Sequence, residues 1–187
     1  MPVFFVFLGL AALVAGLGVS IYNRLVRNQN LVREAWSGID VQLKRRADLI
    51  PNLVKTVQGY MGHEQRVLEK VTELRSQSLQ AASPGERARA EGMLGAALGN
   101  LLAVAENYPD LKASQNFLDL QSALAGIEEQ LQLARRYYNG AARDLNILID
   151  SFPSNLIARW FQFQPVEYFE IEAPQDRVLP EVDFTRS

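Results

Sequence analysis

The chain's one histidine, His63, is followed directly by Glu64, with Glu69 a short way beyond. These are the residue types a metal would want. A helical zinc site needs a second histidine four residues after the first, so that both imidazoles face one ion. Position 67 is Val67, and no other histidine exists. A carboxylate-bridged metal pair needs glutamates from several helices together with Glu-x-x-His pairs, which the sequence lacks. With no cysteine there are no disulfides, thiolate ligands or cysteine nucleophiles, and the redox compartment stays undecided. No Walker loop or Gly-x-Gly-x-x-Gly is present. The residues therefore call for no metal, no cofactor and no catalytic group.

Other charges have structural readings. Glu64 falls on an apolar helical stripe, where a carboxylate is costly unless paired. The expectation is an ion pair that sets helix register, with Arg135 or Arg136 as partner; the sequence does not choose between them. Lys44-Arg45-Arg46 reads as a solvated face or as interhelical salt bridges rather than a lipid contact. It lies about 30 Å or more beyond the membrane exit on a straight helix, well past a Debye length of ~8 Å. Arg24 and Arg27 are close enough to meet anionic headgroups. A net charge of −2 gives no field that would favour nucleic acid.

The elements that position these residues are helices. Residues 3–22 form a mostly apolar run without a charged side chain. As a helix it spans about 30 Å, the thickness of a bilayer core. A cleaved signal peptide would want a basic start, a shorter apolar stretch and a small-x-small site, so an uncleaved anchor over residues 1–23 is the better reading. Ala12, Gly16 and Ser20, spaced by four, put small residues on one face of it, where a second helix can approach closely. Leu25, Val32, Trp36, Ile39, Leu43 and Ala47 continue one stripe past the membrane. A break is expected near Asp48 as N-cap, with Pro51 in the first turn of a second helix. That helix carries Ile50, Leu53, Val57, Tyr60, Glu64, Val67, Val71, Leu74 and Ser78. Ser83-Pro84 opens a third helix, with a stripe of Leu94, Leu98, Leu101, Ala105 and Tyr108, and Asn107-Tyr108-Pro109-Asp110 ends it. Ser114 caps a fourth, whose seam runs at 3–4 spacing from Phe117 through Leu131, Tyr138 and Leu145 to Phe152. Pro153 ends that helix or opens a short fifth, over residues 154–163. No period-2 strand appears in the body of the chain.

The fold class expected is all-α: an N-terminal transmembrane helix continuing into an antiparallel long-helix bundle over residues 24–163. Residues 164–187 carry Pro165, Pro174 and Pro180 and six acids against two arginines. They read as an extended, mostly mobile tail, with Tyr168, Phe169 and Ile171 as candidates to dock on the bundle. The aromatic segment Arg159-Trp160-Phe161-Gln162-Phe163 reads as a cap on the bundle's end in preference to a membrane-interface element.

Four separated motifs resemble those of the LemA family: Arg45-Arg46-Ala47-Asp48-Leu49-Ile50-Pro51-Asn52-Leu53-Val54, Lys112-Ala113-Ser114-Gln115-Asn116-Phe117, Ala134-Arg135-Arg136-Tyr137-Tyr138-Asn139 and Phe152-Pro153-Ser154-Asn155. The resemblance covers residues 22–169. It implies a bacterial single-pass membrane protein with a long-helix bundle and brings no catalytic residues with it. Some relatives look like parts of membrane-remodelling or organelle systems, and others sit near membrane proteases.

The functional expectation is a non-enzymatic, membrane-anchored scaffold that self-associates as a homo-oligomer or presents its bundle to membrane-protein partners. The alternative is a regulatory or ligand-binding adaptor, for example for a membrane protease. Arginines 24, 27 and 33 follow the apolar run. The positive-inside bias then puts the N-terminus outside the bacterial inner membrane and the bundle in the cytoplasm, with a periplasmic bundle as the alternative.

Overall fold

The computed structural model describes residues 1–62 and 64–170. Six helices follow one another: α1 (Pro2–Gln58), α2 (Gln65–Gln80), α3 (Pro84–Ala105), α4 (Pro109–Lys112), α5 (Gln115–Asp150) and α6 (Ser154–Trp160). Among the described residues there is no strand, and the all-α expectation holds. The residues form two compact units. One comprises Met1–Arg46 with Ser122–Tyr168, and the other Ala47–Gln121 with the chain from Phe169.

In the first unit α1 and α5 run antiparallel. Trp36 meets Tyr138 edge-on, with ring centroids 5.5 Å apart. Ten residues further along α1 and ten back along α5, Arg46 pairs with Glu128 at 2.9 Å. The stripe expected on α1 is the buried face: Leu25, Val32, Ile39 and Leu43 are all inside, with Ala35 joining them. On α5, Leu124, Leu131, Tyr138, Leu145 and Leu148 are buried at the predicted spacing. The seam stops short of Phe152, which is 80% exposed, because α5 ends at Asp150.

After α6 the chain turns back and runs extended. Asn146 fixes this stretch by accepting from the Val166 N–H at 2.9 Å and donating to the Val166 carbonyl at 3.0 Å. The Tyr138 hydroxyl donates to the Glu167 carbonyl at 2.8 Å. Phe169 is fully buried and Tyr168 is 40% exposed. Ile171 and the rest of the tail lie outside the described residues.

In the second unit α2 meets the end of α1 and packs along α3. Here one expectation is overturned. No break occurs at Asp48; α1 runs unbroken to Gln58, with Pro51 inside it. A proline in a helix interior removes the N–H that would bond the carbonyl four residues back. That carbonyl belongs to Ala47, and the Arg75 Nε of α2 donates to it at 2.6 Å. The freed acceptor is satisfied from another helix, so the proline costs no break. The chain instead leaves the helix at Gly59, Tyr60, Met61 and Gly62, where two glycines lower helix propensity. The stripe predicted across this point does not persist: Tyr60 is 45% exposed, Glu64 precedes α2 as its N-cap, and burial resumes at Leu68, Val71, Leu74 and Ser78.

The α3 start is as predicted. Ser83 Oγ accepts from the Glu86 N–H at 3.2 Å, Glu86 Oε2 accepts from the Ser83 N–H at 3.2 Å, and Pro84 takes the first turn.

Candidate functional site

Residues 2–20 of α1 are exposed on every face except at Gly18. An eighteen-residue stretch of α1 near the N-terminus has a mean hydropathy of 2.5, and none of it is buried within the protein. A helix apolar all round and covered by nothing is one whose solvent is not water. By length and composition it is long enough to cross a membrane. Ala12, Gly16 and Ser20 all lie exposed on this stretch, and the space beside Gly16 is open to at least 4 Å. Gly18 is different. Ile157 Cδ1 of α6 stands 3.8 Å from where a Cβ at Gly18 would be. One turn further on, Tyr22 stacks against Phe161 and Phe163, with ring centroids 4.6 Å and 6.0 Å apart.

The polar side chains sort into small structural links. Arg46, with its side chain 4% exposed, pairs with Glu128, which is 42% exposed. Arg46 follows Leu43 by three and precedes Ile50 by four, so it belongs to the buried stripe and makes a salt bridge between helices, while Lys44 and Arg45 of the same run are exposed. Arg135 donates to Gln132 Oε1 at 3.3 Å. Burial pushes its pKa down from the usual guanidinium value, and the nearby Glu128 carboxylate opposes that shift. Arg136 is exposed. Glu64 accepts a short hydrogen bond from the Tyr108 hydroxyl. That bond, then burial and the carboxylate's charge, holds the Tyr108 pKa above the ordinary phenol value. Glu64 and the two arginines belong to different units, and Glu64 and Arg135 each have a partner inside their own.

The sequence reading missed Glu91, which is 1% exposed and accepts a short hydrogen bond from Ser78 Oγ. The signal was available. Glu91 precedes Leu94 by three and Leu98 by seven, on the face that is buried. Tyr108 as the partner of Glu64 carried no such signal, since 44 residues separate them. His63 lies outside the described residues. Among those described, no group of three or more His, Cys, Asp or Glu side chains could hold a metal ion.

Comparison with known proteins follows the same outline. A family profile described as "LemA family" matches residues 35–184. This chain belongs to the LemA family. A relative named Protein LemA, from Metamycoplasma hominis, is 30% identical over 152 residues, covering 79% of this chain and 68% of that protein. Magnetosome protein MamQ 2 of Paramagnetospirillum magneticum is 26% identical over 175 residues, 80% of this chain and 64% of the relative. Magnetosome protein MamQ of Magnetospirillum gryphiswaldense is 24% identical over 174 residues, 79% of this chain and 64% of its own length. The chain thus spans a little under two thirds of the MamQ proteins it matches. Membership of the LemA family and the bare apolar first helix together describe a membrane-associated helical protein.

Proposed function

We propose that this LemA-family chain is a non-enzymatic, membrane-anchored scaffold that self-associates through its anchor and presents its helices to membrane-protein partners. The observation that carries this is the continuity of α1. One unbroken helix supplies both the bare apolar stretch and the buried stripe from Leu25 onward. A continuous helix transmits the orientation of its membrane segment to what it carries, which a flexible linker would not do. Association in the bilayer would therefore align the soluble helices and raise their effective concentration. The exposed face of Ala12, Gly16 and Ser20 is suited to such an approach, because small side chains let backbones pack more closely than lipid does. The polar links support the non-catalytic reading, since Arg75, Arg46 and Ser78 each hold one helix to another.

Arginines 24, 27 and 33 support a cytoplasmic position for the helices beyond the anchor under the positive-inside bias. Crosslinking in native membranes tests the association. Wild type should give a ladder of oligomers and Gly16→Leu a weaker one, with membrane insertion intact. Monomer in both ends the self-association reading, and an equal ladder in both moves the contact away from the anchor. A fluorescent reporter fused after Ser187 should light up in cells while an alkaline phosphatase fusion stays inactive; the reverse pattern puts the soluble helices in the periplasm.

A further inference from the structure

The short helix α6 keeps one face covered and leaves the other bare. Ser154 and Ala158, four apart, are buried. Leu156 and Trp160, also four apart, are 56% and 84% exposed, and Phe152 and Phe161, which flank the helix, are 80% and 54% exposed. Two large apolar side chains on so short a helix, with two more flanking it, leave more bare apolar surface than soluble proteins usually show to water. Its position says what covers it. Ile157 of α6 reaches Gly18, which lies inside the apolar run, about 6 Å before its end at Tyr22 by the rise of an α-helix. Phe161 rests on Tyr22 itself. The bare face of α6 therefore sits at the level where the membrane-spanning stretch of α1 leaves the hydrocarbon.

We infer that α6 is a second membrane contact, lying in the headgroup region with Leu156 and Trp160 turned into the acyl boundary of the lipid. The reading of α1 as a membrane span underlies this assignment. The chemistry suits the interface. Trp is favoured at that depth, where an apolar ring and a polar N–H are both accommodated, and Trp with Leu lines the apolar face of interfacial helices. Exposed Arg159 on α6, with exposed Arg24 and Arg27 just past Tyr22 on α1, supplies cations for anionic headgroups. Capping of the bundle's end, which the aromatic composition alone favours, would bury Trp160, and the structure leaves it exposed. Holding α1 at a fixed depth by two attachments, one through the bilayer and one along its surface, also restrains the rotation and tilt that a lone spanning helix keeps.

The two tryptophans, Trp36 and Trp160, make the test direct. The full chain is reconstituted into vesicles of phosphatidylcholine and phosphatidylglycerol carrying bromine at either a shallow or a deep acyl position. In Trp36→Phe the remaining emission comes from Trp160. The difference between wild type and Trp160→Phe gives the same signal with Trp36 in place, so the result does not hang on either variant folding perfectly. The expected outcome is about a twofold loss of Trp160 emission with shallow bromines and less with deep ones, as for a side chain ~5–10 Å into the headgroup boundary. Emission of a fully hydrated indole, unquenched by either lipid, overturns the inference. So does quenching that is stronger from the deep position. Blue-shifted emission without quenching puts another protein chain over the face and overturns the lipid assignment. An alkaline carbonate wash separates this from the reading it rests on. A chain that stays with the vesicles while Trp160 is unquenched loses only the α6 contact, whereas a chain released by carbonate loses the spanning α1 as well.

Discussion

Leu8, Leu10, Leu13 and Leu17 are between 56% and 60% exposed, while Leu25, Leu43 and Leu53 on the same helix are at most 1% exposed. Both sets have high helix propensity, and α1 carries them without a break. What separates them is the distribution of apolar residues around the axis. In the first stretch every face is apolar and no side chain is charged; in the second, charged residues such as Arg33, Asp40 and Lys44 alternate with a single buried stripe. A single stripe specifies a protein neighbour, and an all-round apolar surface specifies a solvent without water. The two stretches of α1 thus use one backbone conformation in two media.

The sharpest way to break this comparison is to make the same substitution in each stretch. Leu43→Ala should cost about 2–5 kcal/mol of stability, through lost transfer free energy and the cavity left behind. Leu13→Ala should leave thermal unfolding of the soluble helices unchanged within about 0.5 kcal/mol, since Leu13 is 60% exposed on the bare stretch. Melting followed by circular dichroism in detergent checks both. Equal destabilisation by the two would mean that the first stretch packs on protein.

Removing the charged link at the edge of the buried stripe should have a smaller effect. Glu128→Gln removes a carboxylate that pairs with the buried Arg46 guanidinium at 2.9 Å. A cost of about 1–3 kcal/mol is expected, toward the lower end because Glu128 is 42% exposed and its attraction is screened by water. Urea unfolding read at several salt concentrations measures it. A midpoint that does not move would mean that the pair contributes orientation alone.

How much of this could be read from residues alone follows the range of the interactions. The start of α3 was legible because Ser83 and Pro84 stand side by side at it, and the α1 and α5 stripes were legible because burial repeats every turn. The end of α1 was not. Pro51 carries a local signal to stop, and the donor that cancels it sits on Arg75, 28 residues from the carbonyl it serves. The bare face of α6 lies between these cases. Its aromatic content is visible in sequence, but its level beside Gly18 comes only from the fold.

The Arg75 link itself gives the next prediction, at about 1 kcal/mol. Arg75→Met should leave the Ala47 carbonyl short of a donor and cost about 1–3 kcal/mol. Pro51→Ala restores an amide N–H at position 51, which can bond that carbonyl within the helix. In the Pro51→Ala background the same Arg75→Met change should therefore cost about 1 kcal/mol less than in wild type. A double-mutant cycle on unfolding free energies isolates this coupling. Strict additivity would mean that the guanidinium stabilises by packing, and that Pro51 is tolerated for another reason.

The smallest effect is expected where α6 turns the chain back toward Tyr22. Gln162 has φ 58°, the left-handed region, and the N–H groups of Gln162 and Phe163 bond the carbonyls of Arg159 and Ala158 at 3.2 and 2.9 Å. This is the Schellman arrangement that commonly ends helices, with glutamine at the position usually held by glycine. A side chain with a Cβ is strained there by roughly 1 kcal/mol. Glycine would relieve the strain, although its greater freedom in the unfolded chain offsets part of the gain. Gln162→Gly should thus raise stability by a few tenths of a kcal/mol up to about 1. It should also leave the packing of Phe161 and Phe163 on Tyr22 intact, which near-ultraviolet circular dichroism would register as an unchanged aromatic signal. A loss of stability would show that the glutamine side chain makes a contact worth more than the strain, and the turn that holds α6 beside the apolar stretch would then depend on that side chain as well as on the backbone.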